Sequence, residues 1–279
     1  MGLTKTEETL LQVIDNMRKE RADKIIVNRG LAESRHKAQA LIMAGLVFSE
    51  GRRIEKPGQR IGVDEKISIK KKMLYVSRGG LKLEEALDAF KISVKGKVAA
   101  DLGASTGGFT DCLLQKGAKR VYAVDVDTRQ LDWRLREDPR VILIEKNARY
   151  LKKSDFRETL DIVTMDLSFI SVLKVLPAVK KFLGAGRLLS LLKPQFEVGK
   201  GEVGKKGIVR DPFLHQEVLW KIASEASRIG FKLRGLIETS VRGQKGNREF
   251  FAVWSLREGS LSPARVQRII KEVVWDEKN

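Results

Sequence analysis

The stretch Lys97-Val-Ala-Ala-Asp-Leu-Gly-Ala-Ser-Thr-Gly-Gly-Phe-Thr110 constrains the fold more than any other part of this chain. Residues 98–102 give the apolar run of a buried strand, Gly103, Gly107 and Gly108 a turn that lets backbone approach a ligand, and residues 109–116 a helix. Further apolar runs at 121–126, 141–144, 162–165 and 187–192 alternate with helical segments. That alternation predicts an α/β domain with a mainly parallel, Rossmann-like sheet. Residues 235–241 and 249–254, separated by the polar loop 242–248, predict a terminal β-hairpin.

The glycine spacing bears on the ligand. A dinucleotide fingerprint places pyrophosphate on the helix N-terminus, whereas here Gly103-Ala-Ser-Thr-Gly107-Gly108 is preceded by the acid Asp101. A carboxylate at the strand end repels phosphate and suits a cationic ligand such as S-adenosylmethionine, with its sulfonium and amino groups. The next strand ends in Asp125, placed to accept hydrogen bonds from ribose hydroxyls, with Asp127 on the same strand face as the competing candidate. Methyl transfer therefore ranks above hydride transfer.

Charge indicates the partner. Fifty-four lysines and arginines against 36 aspartates and glutamates leave a net charge of +18. Such an excess favours a polyanion, and nucleic acid first. With one cysteine, Cys112, and two histidines, His36 and His215, the chain forms neither a disulfide framework nor a Cys/His zinc site, so a reducing, cytoplasmic setting and no metal are expected. No apolar run reaches the roughly 20 residues of a membrane span.

Residues 1–20 predict an amphipathic helical extension, and residues 21–72 a small, very basic module of two short helices and a small sheet. Gly30 stops the first helix and Ser34 caps the second. Its cations Arg21, Lys24, Arg29, Arg35, Lys37, Arg52 and Arg53, joined by Arg78 just beyond, are the candidate RNA contacts. Aromatics are scarce in it, which favours backbone and shape recognition over stacking. Through Arg21-x-Asp23, Gly30, Ser34-Arg35, Ala38, the Ala44-Gly45-x-Val47 turn, Gly51 and Pro57, the module resembles the αL-type RNA-binding domain of a small-subunit ribosomal protein and of pseudouridine synthases. Residues 73–80 are expected to be a linker whose glycines permit a hinge, 81–256 the catalytic domain, and 257–279 a helical extension packed on the body.

Three fragments at predicted strand ends carry ionisable residues, Met165-Asp-Leu-Ser-Phe-Ile-Ser171, Leu192-Lys-Pro-Gln-Phe-Glu197 and Gly246-Asn-Arg-Glu-Phe250. With Lys82, they give two lysines and two acids: Lys82, Asp166, Lys193 and Glu249. Together with Ser77-Arg-Gly-Gly-Leu-Lys82, Asp101-Leu-Gly-Ala-Ser-Thr-Gly-Gly-Phe109, Asp138-Pro-Arg, Asn147-Ala-Arg and Gly207-Ile-Val-Arg210, these phrases resemble the TlyA (hemolysin A) family of ribosomal RNA 2′-O-methyltransferases, whose catalytic domain is FtsJ-like.

The resemblance implies a lysine-aspartate-lysine-glutamate tetrad at Lys82, Asp166, Lys193 and Glu249. Lys193 is then the base, Asp166 orients it, and Lys82 and Glu249 position the hydroxyl and the substrate strand. It also implies S-adenosylmethionine contacts from Asp101, Gly103, Ser105, Gly107 and Asp125, with Asn147 or Ala148 near the adenine. One departure is Asp127-Thr-Arg129, where the family usually shows a Gly-Tyr-Gly-like continuation. The alternatives are a non-catalytic RNA-binding or ribosome-assembly protein and, from the family's hemolysin name, a membrane-active one.

Overall fold

The computed structural model describes residues 19–43, 45–69, 74–199, 204, 207–243, 246–257, 259 and 261–275. The expected helix at the N-terminus lies largely outside them. The chain forms two compact units that divide between Met73 and Leu74.

In the first unit, β1 (Lys19–Arg21) leads into α1 (Ala22–Asn28) and α2 (Arg35–Met43), followed by β2 (Val47–Ser49), β3 (Arg52–Arg53), β4 (Arg60–Gly62) and β5 (Ile67–Ile69). A two-stranded sheet pairs β1 with β4, and a three-stranded one runs β3-β2-β5. Lys19 and Glu20 pair with Gly62 and Ile61, so the module begins before the expected boundary at residue 21. The predicted caps form: Gly30, at φ +68°, donates its N–H to the Val27 carbonyl, and the Lys37 N–H donates to Ser34 Oγ at 3.2 Å. Ala22, Ile25, Ile26, Ala38, Ile42, Val47, Ile54 and Ile61 make its core.

The second unit is built on β6 (Val98–Leu102), β7 (Arg120–Asp125), β8 (Val141–Glu145), β9 (Ile162–Met165), β10 (Arg187–Leu192), β11 (Lys232–Glu238) and β12 (Phe250–Ser255). Its helices are α3 (Gly79–Ala89), α4 (Gly108–Gln115), α5 (Trp133–Arg136), α6 (Leu176–Leu183), α7 (Pro194–Glu197), α8 (Pro212–Ile229) and α9 (Pro263–Trp275). The sheet order is β11-β12-β10-β9-β6-β7-β8. Every residue of β6 is buried, which explains its unbroken apolar run. The last strand, β12, inserts antiparallel between β10 and β11. β11 begins earlier than predicted, at Lys232, with a register shift between Leu233 and Gly235; Gly235 lies inside the strand and packs on Phe90, whose ring a Cβ there would approach to 2.6 Å. Ile270 and Val274 of α9 are buried in the main core, as expected of a packed extension.

Of the linker expected at 73–80, residues 74–80 belong to the second unit rather than to a hinge. Gln115 Nε2 donates to the Leu74 carbonyl at 3.0 Å and the Val76 N–H to Asp111 Oδ2 at 2.8 Å, while Tyr75 is buried. Gly79 and Gly80 open α3. At Gly80 smallness serves packing: a Cβ there would collide with the Tyr75 ring.

Candidate active site

The glycine turn is assembled from β6, β7 and the chain after β9. The N–H groups of Gly103 and Ala104 both donate to the Val124 carbonyl, at 2.8 and 3.0 Å. Gly103 has φ +87°, and a Cβ on it would collide with the Asp166 carbonyl oxygen, so two requirements for glycine coincide there. At Gly108 the cause is packing alone: a Cβ would collide with Ser77 Oγ and stand 2.9 Å from the Gly80 nitrogen.

Two cavities open at the carboxyl ends of the strands, where open α/β sheets bind ligands. The larger, about 700 Å³, is lined by Gly103, Ser105, Asp125, Asn147 and Ala148, among others. Asp125 Oδ2 accepts the Ser105 N–H at 2.9 Å and Oδ1 the Asp127 N–H at 3.2 Å, so this carboxylate holds the turn open on its cavity side. Asp127 does not line the cavity; it caps the next turn and pairs with Arg129 at 2.8 Å.

Two expected cofactor contacts are placed elsewhere. Asp101 is fully buried, receiving Thr110 Oγ1 at 2.7 Å and Thr164 Oγ1 at 3.1 Å, and burial raises its pKa to about 7 despite those bonds. It lines neither cavity; its carboxylate ties the start of α4 to β9 rather than facing a ligand. Gly107 likewise lines neither cavity, because the space a Cβ would take is filled by Leu131 and Leu135.

The smaller cavity, about 340 Å³, holds all four members of the predicted tetrad. Lys82 Nζ lies 2.6 Å from Glu249 Oε2, and Lys193 Nζ 2.5 Å from Asp166 Oδ1. Lys193 Nζ also donates to Ser168 Oγ at 3.2 Å, and Gln195 Nε2 to Glu249 Oε1 at 3.4 Å. The four residues come from α3, the ends of β9 and β10, and the residue before β12, so 167 positions separate Lys82 from its partner. Gly103, Ser105, Asp166, Ser168 and Phe169 line both cavities, which makes them neighbours along one cleft.

Several residues of this cleft escaped the sequence reading. Phe169 is 90% exposed with φ +63° and stands 5.0 Å from the Phe196 ring. An exposed aromatic in a strained backbone conformation at a cavity rim is a functional signal, but only the fold reveals the exposure. Glu197 accepts the Val172 N–H at 2.8 Å and so clamps the loop carrying Asp166 to the one carrying Lys193; burial raises its pKa. Beside Glu249, Asn247 accepts the Val209 N–H and donates to the Gly207 carbonyl, while Arg248 bonds Glu238 and the Val274 carbonyl at the end of α9.

His215 packs behind this segment, its ring 5.7 Å from that of Phe250 and fully buried. Burial, with Arg248 nearby, lowers its pKa from 6.5 to about 4 against the opposing influence of Glu238 and Asp211. A depressed histidine pKa favours the neutral folded form above pH 6.5 and penalises folding as pH falls from 6.5 towards 4. Unfolding monitored by tryptophan fluorescence should therefore lose roughly 2 kcal/mol over that interval, beyond what His215→Phe loses.

The candidate RNA contacts are less free than their count implies. Arg21 and Arg35 both pair with buried Asp23, at 2.9 and 3.0 Å. Lys24 faces Glu20 at 3.7 Å, Lys37 Glu33 at 2.9 Å and Arg53 Glu55 at 3.6 Å. Arg29 donates to the carbonyls of Val63 and Glu65. Arg52 is exposed, and Arg78, in the second unit, lines the smaller cavity.

Comparison with known proteins agrees with this division. Residues 75–255 match the FtsJ-like methyltransferase family and residues 20–67 the S4 domain. YqxC of Bacillus subtilis is 49% identical over 237 residues, covering 84% of each chain. The 16S/23S rRNA (cytidine-2′-O)-methyltransferase TlyA of Mycobacterium tuberculosis is 42% identical over 238 residues, covering 84% of this chain and 89% of that protein. A solved structure from Streptococcus thermophilus, described as a hemolysin, is 42% identical, with a TM-score of 0.69 over 92% of this chain and 96% of that one. With an S4 domain ahead of a catalytic unit whose two lysine-acid pairs share one cavity, the chain belongs to the TlyA family of FtsJ-like methyltransferases.

Proposed function

We propose that the protein transfers a methyl group from S-adenosylmethionine to a ribose 2′-hydroxyl of ribosomal RNA. The observation that carries this reading is the pair of ion pairs, Lys82 with Glu249 and Lys193 with Asp166, in a cavity adjoining the glycine-turn cavity. The larger cavity fits the cofactor in its chemistry: the Asp125 carboxylate supplies acceptors for ribose hydroxyls, and Gly103 leaves room that a side chain would fill. Gly103, Ser105, Asp125 and Asn147 would hold it, with Asp101 acting from beneath through Thr110. Bound there, S-adenosylmethionine supplies an electrophilic methyl on a sulfonium.

The protein's own residues do the rest. Lys193 Nζ is the acceptor of the hydroxyl proton, held in place by Asp166 and Ser168. Lys82 and Glu249 fix the ribose, and alignment of oxygen with the methyl supplies much of the acceleration. Phe169 at the rim is placed to stack on an unstacked base, and the first unit to grip folded RNA through its phosphates.

The test is transfer of labelled methyl to purified 16S and 23S RNA and to separated ribosomal subunits, with the modified position mapped. Label on a ribose oxygen supports the reading. Cofactor binding without transfer to any RNA form favours the non-catalytic RNA-binding alternative. Among the described residues no helix is long and apolar enough to cross a membrane, and nothing in the cleft calls for a lytic function.

A further inference from the structure

Among the described residues of the first unit, Asp23 is the one acid that is completely buried, and it is surrounded by donors. Arg21 Nε reaches Oδ1 at 3.0 Å and Arg21 Nη2 reaches Oδ2 at 2.9 Å, a two-bond fork. Arg35 Nε and Gln39 Nε2 both reach Oδ2, at 3.0 and 2.8 Å. The two guanidiniums come from different elements, Arg21 from the end of β1 and Arg35 from the start of α2, and this single carboxylate draws them together.

Their outer nitrogens are left for something else. Both arginine side chains remain about half exposed, 42% and 51%, although their partner has no exposure at all. Among the described residues Arg35 uses only Nε, so both terminal nitrogens lack a protein acceptor, as does Nη1 of Arg21. A guanidinium held by a buried anchor through its inner edge has lost its rotamer freedom in advance and presents a fixed outer edge. Two such edges suit tetrahedral oxyanions along a nucleic-acid backbone, because planar donors match phosphate oxygens in pairs.

We propose that Asp23 is a positioning residue for RNA binding, orienting Arg21 and Arg35 so that both meet backbone phosphates. The proposal rests on the reading of the first unit as RNA-binding and adds to it the sign of a charge effect. If the module were only a diffuse basic surface, removing a negative charge would tighten its hold on RNA. If Asp23 sets the geometry, removing that charge loosens it, although the net charge rises by one.

The experiment measures binding of the full chain to a 23S rRNA transcript over a range of salt, for wild type, Asp23→Asn, Arg21→Gln and Arg35→Gln. Wild type that fails to bind overturns the RNA reading itself. With wild type binding, Asp23→Asn is expected to weaken affinity about fivefold or more, and Arg21→Gln and Arg35→Gln each to reduce the slope of log Kd against log salt by about one. Asp23→Asn that is folded by circular dichroism and binds as tightly as wild type, or more tightly, overturns the proposal. Should Asp23→Asn fail to fold, the arginine variants decide: unchanged salt slopes mean that both guanidiniums serve only Asp23, and slopes reduced by about one uphold their phosphate contact.

Discussion

Replacing Lys193 with alanine is expected to lower the rate of methyl transfer to RNA by about 10²- to 10⁴-fold, the range in which a positioned general base contributes. Affinity for S-adenosylmethionine should change little, because Lys193 lines the smaller cavity and not the larger. The alanine leaves Asp166 without the cation 2.5 Å away, so the loss falls on the chemical step and on the hydroxyl's approach. Single-turnover methylation beside calorimetric titration of the cofactor separates the two. A Lys193→Ala protein with unchanged rate would remove Lys193 as the base, whereas one that no longer binds cofactor would move it into the other cavity.

Lys82→Met is expected to destabilise the catalytic unit by about 3–5 kcal/mol, the usual cost of leaving one member of a buried ion pair without its partner. Glu249 has 2% side-chain exposure, and after the loss of Lys82 its side-chain donor among the described residues is Gln195 at the longer distance of 3.4 Å. The double variant Lys82→Met/Glu249→Leu should recover much of the stability, because replacing both charges by apolar groups removes the desolvation penalty, yet it should not recover activity. All four tryptophans, Trp133, Trp220, Trp254 and Trp275, lie in this unit, so denaturation followed by their fluorescence reports on it alone. A Lys82→Met protein as stable as wild type would mean that water reaches Glu249 and that the pair is not sealed.

Stability and activity are expected to diverge in these two variants for a structural reason. Lys193 is joined to Asp166 at the mouth of the cleft, where both side chains keep some exposure, 12% and 24%. Lys82 and Glu249 sit deeper, at 10% and 2%. The outer pair is therefore available for proton exchange with a substrate, and the inner pair is part of the fold as well as of the site.

Much of this site was legible from residue order. Residues 98–102 read as a buried strand and form one, and the tetrad phrases fall at strand ends because an open parallel sheet puts its loops there. Asp101 shows where such reading fails. A carboxylate at a strand end looks available to a ligand, but strand alternation and the hydroxyls of Thr110 and Thr164 turn it inward. Glycine is ambiguous in the same way: at Gly80 and Gly235 it marks close packing rather than the hinge or strand start expected from sequence.

The sequence by itself determined what depends on local pattern: strand and helix periodicity, the caps at Gly30 and Ser34, the basic character of the first unit, and the kinds of ionisable group available for chemistry. Tertiary structure alone decided which of those groups meet. Lys82 finds Glu249 across 167 positions, Asp23 gathers Arg21 and Arg35, and β12 slips between β10 and β11. Charge pairing and burial act through space, and distance in space between residues remote in the chain is fixed only when the whole sheet and its helices have packed.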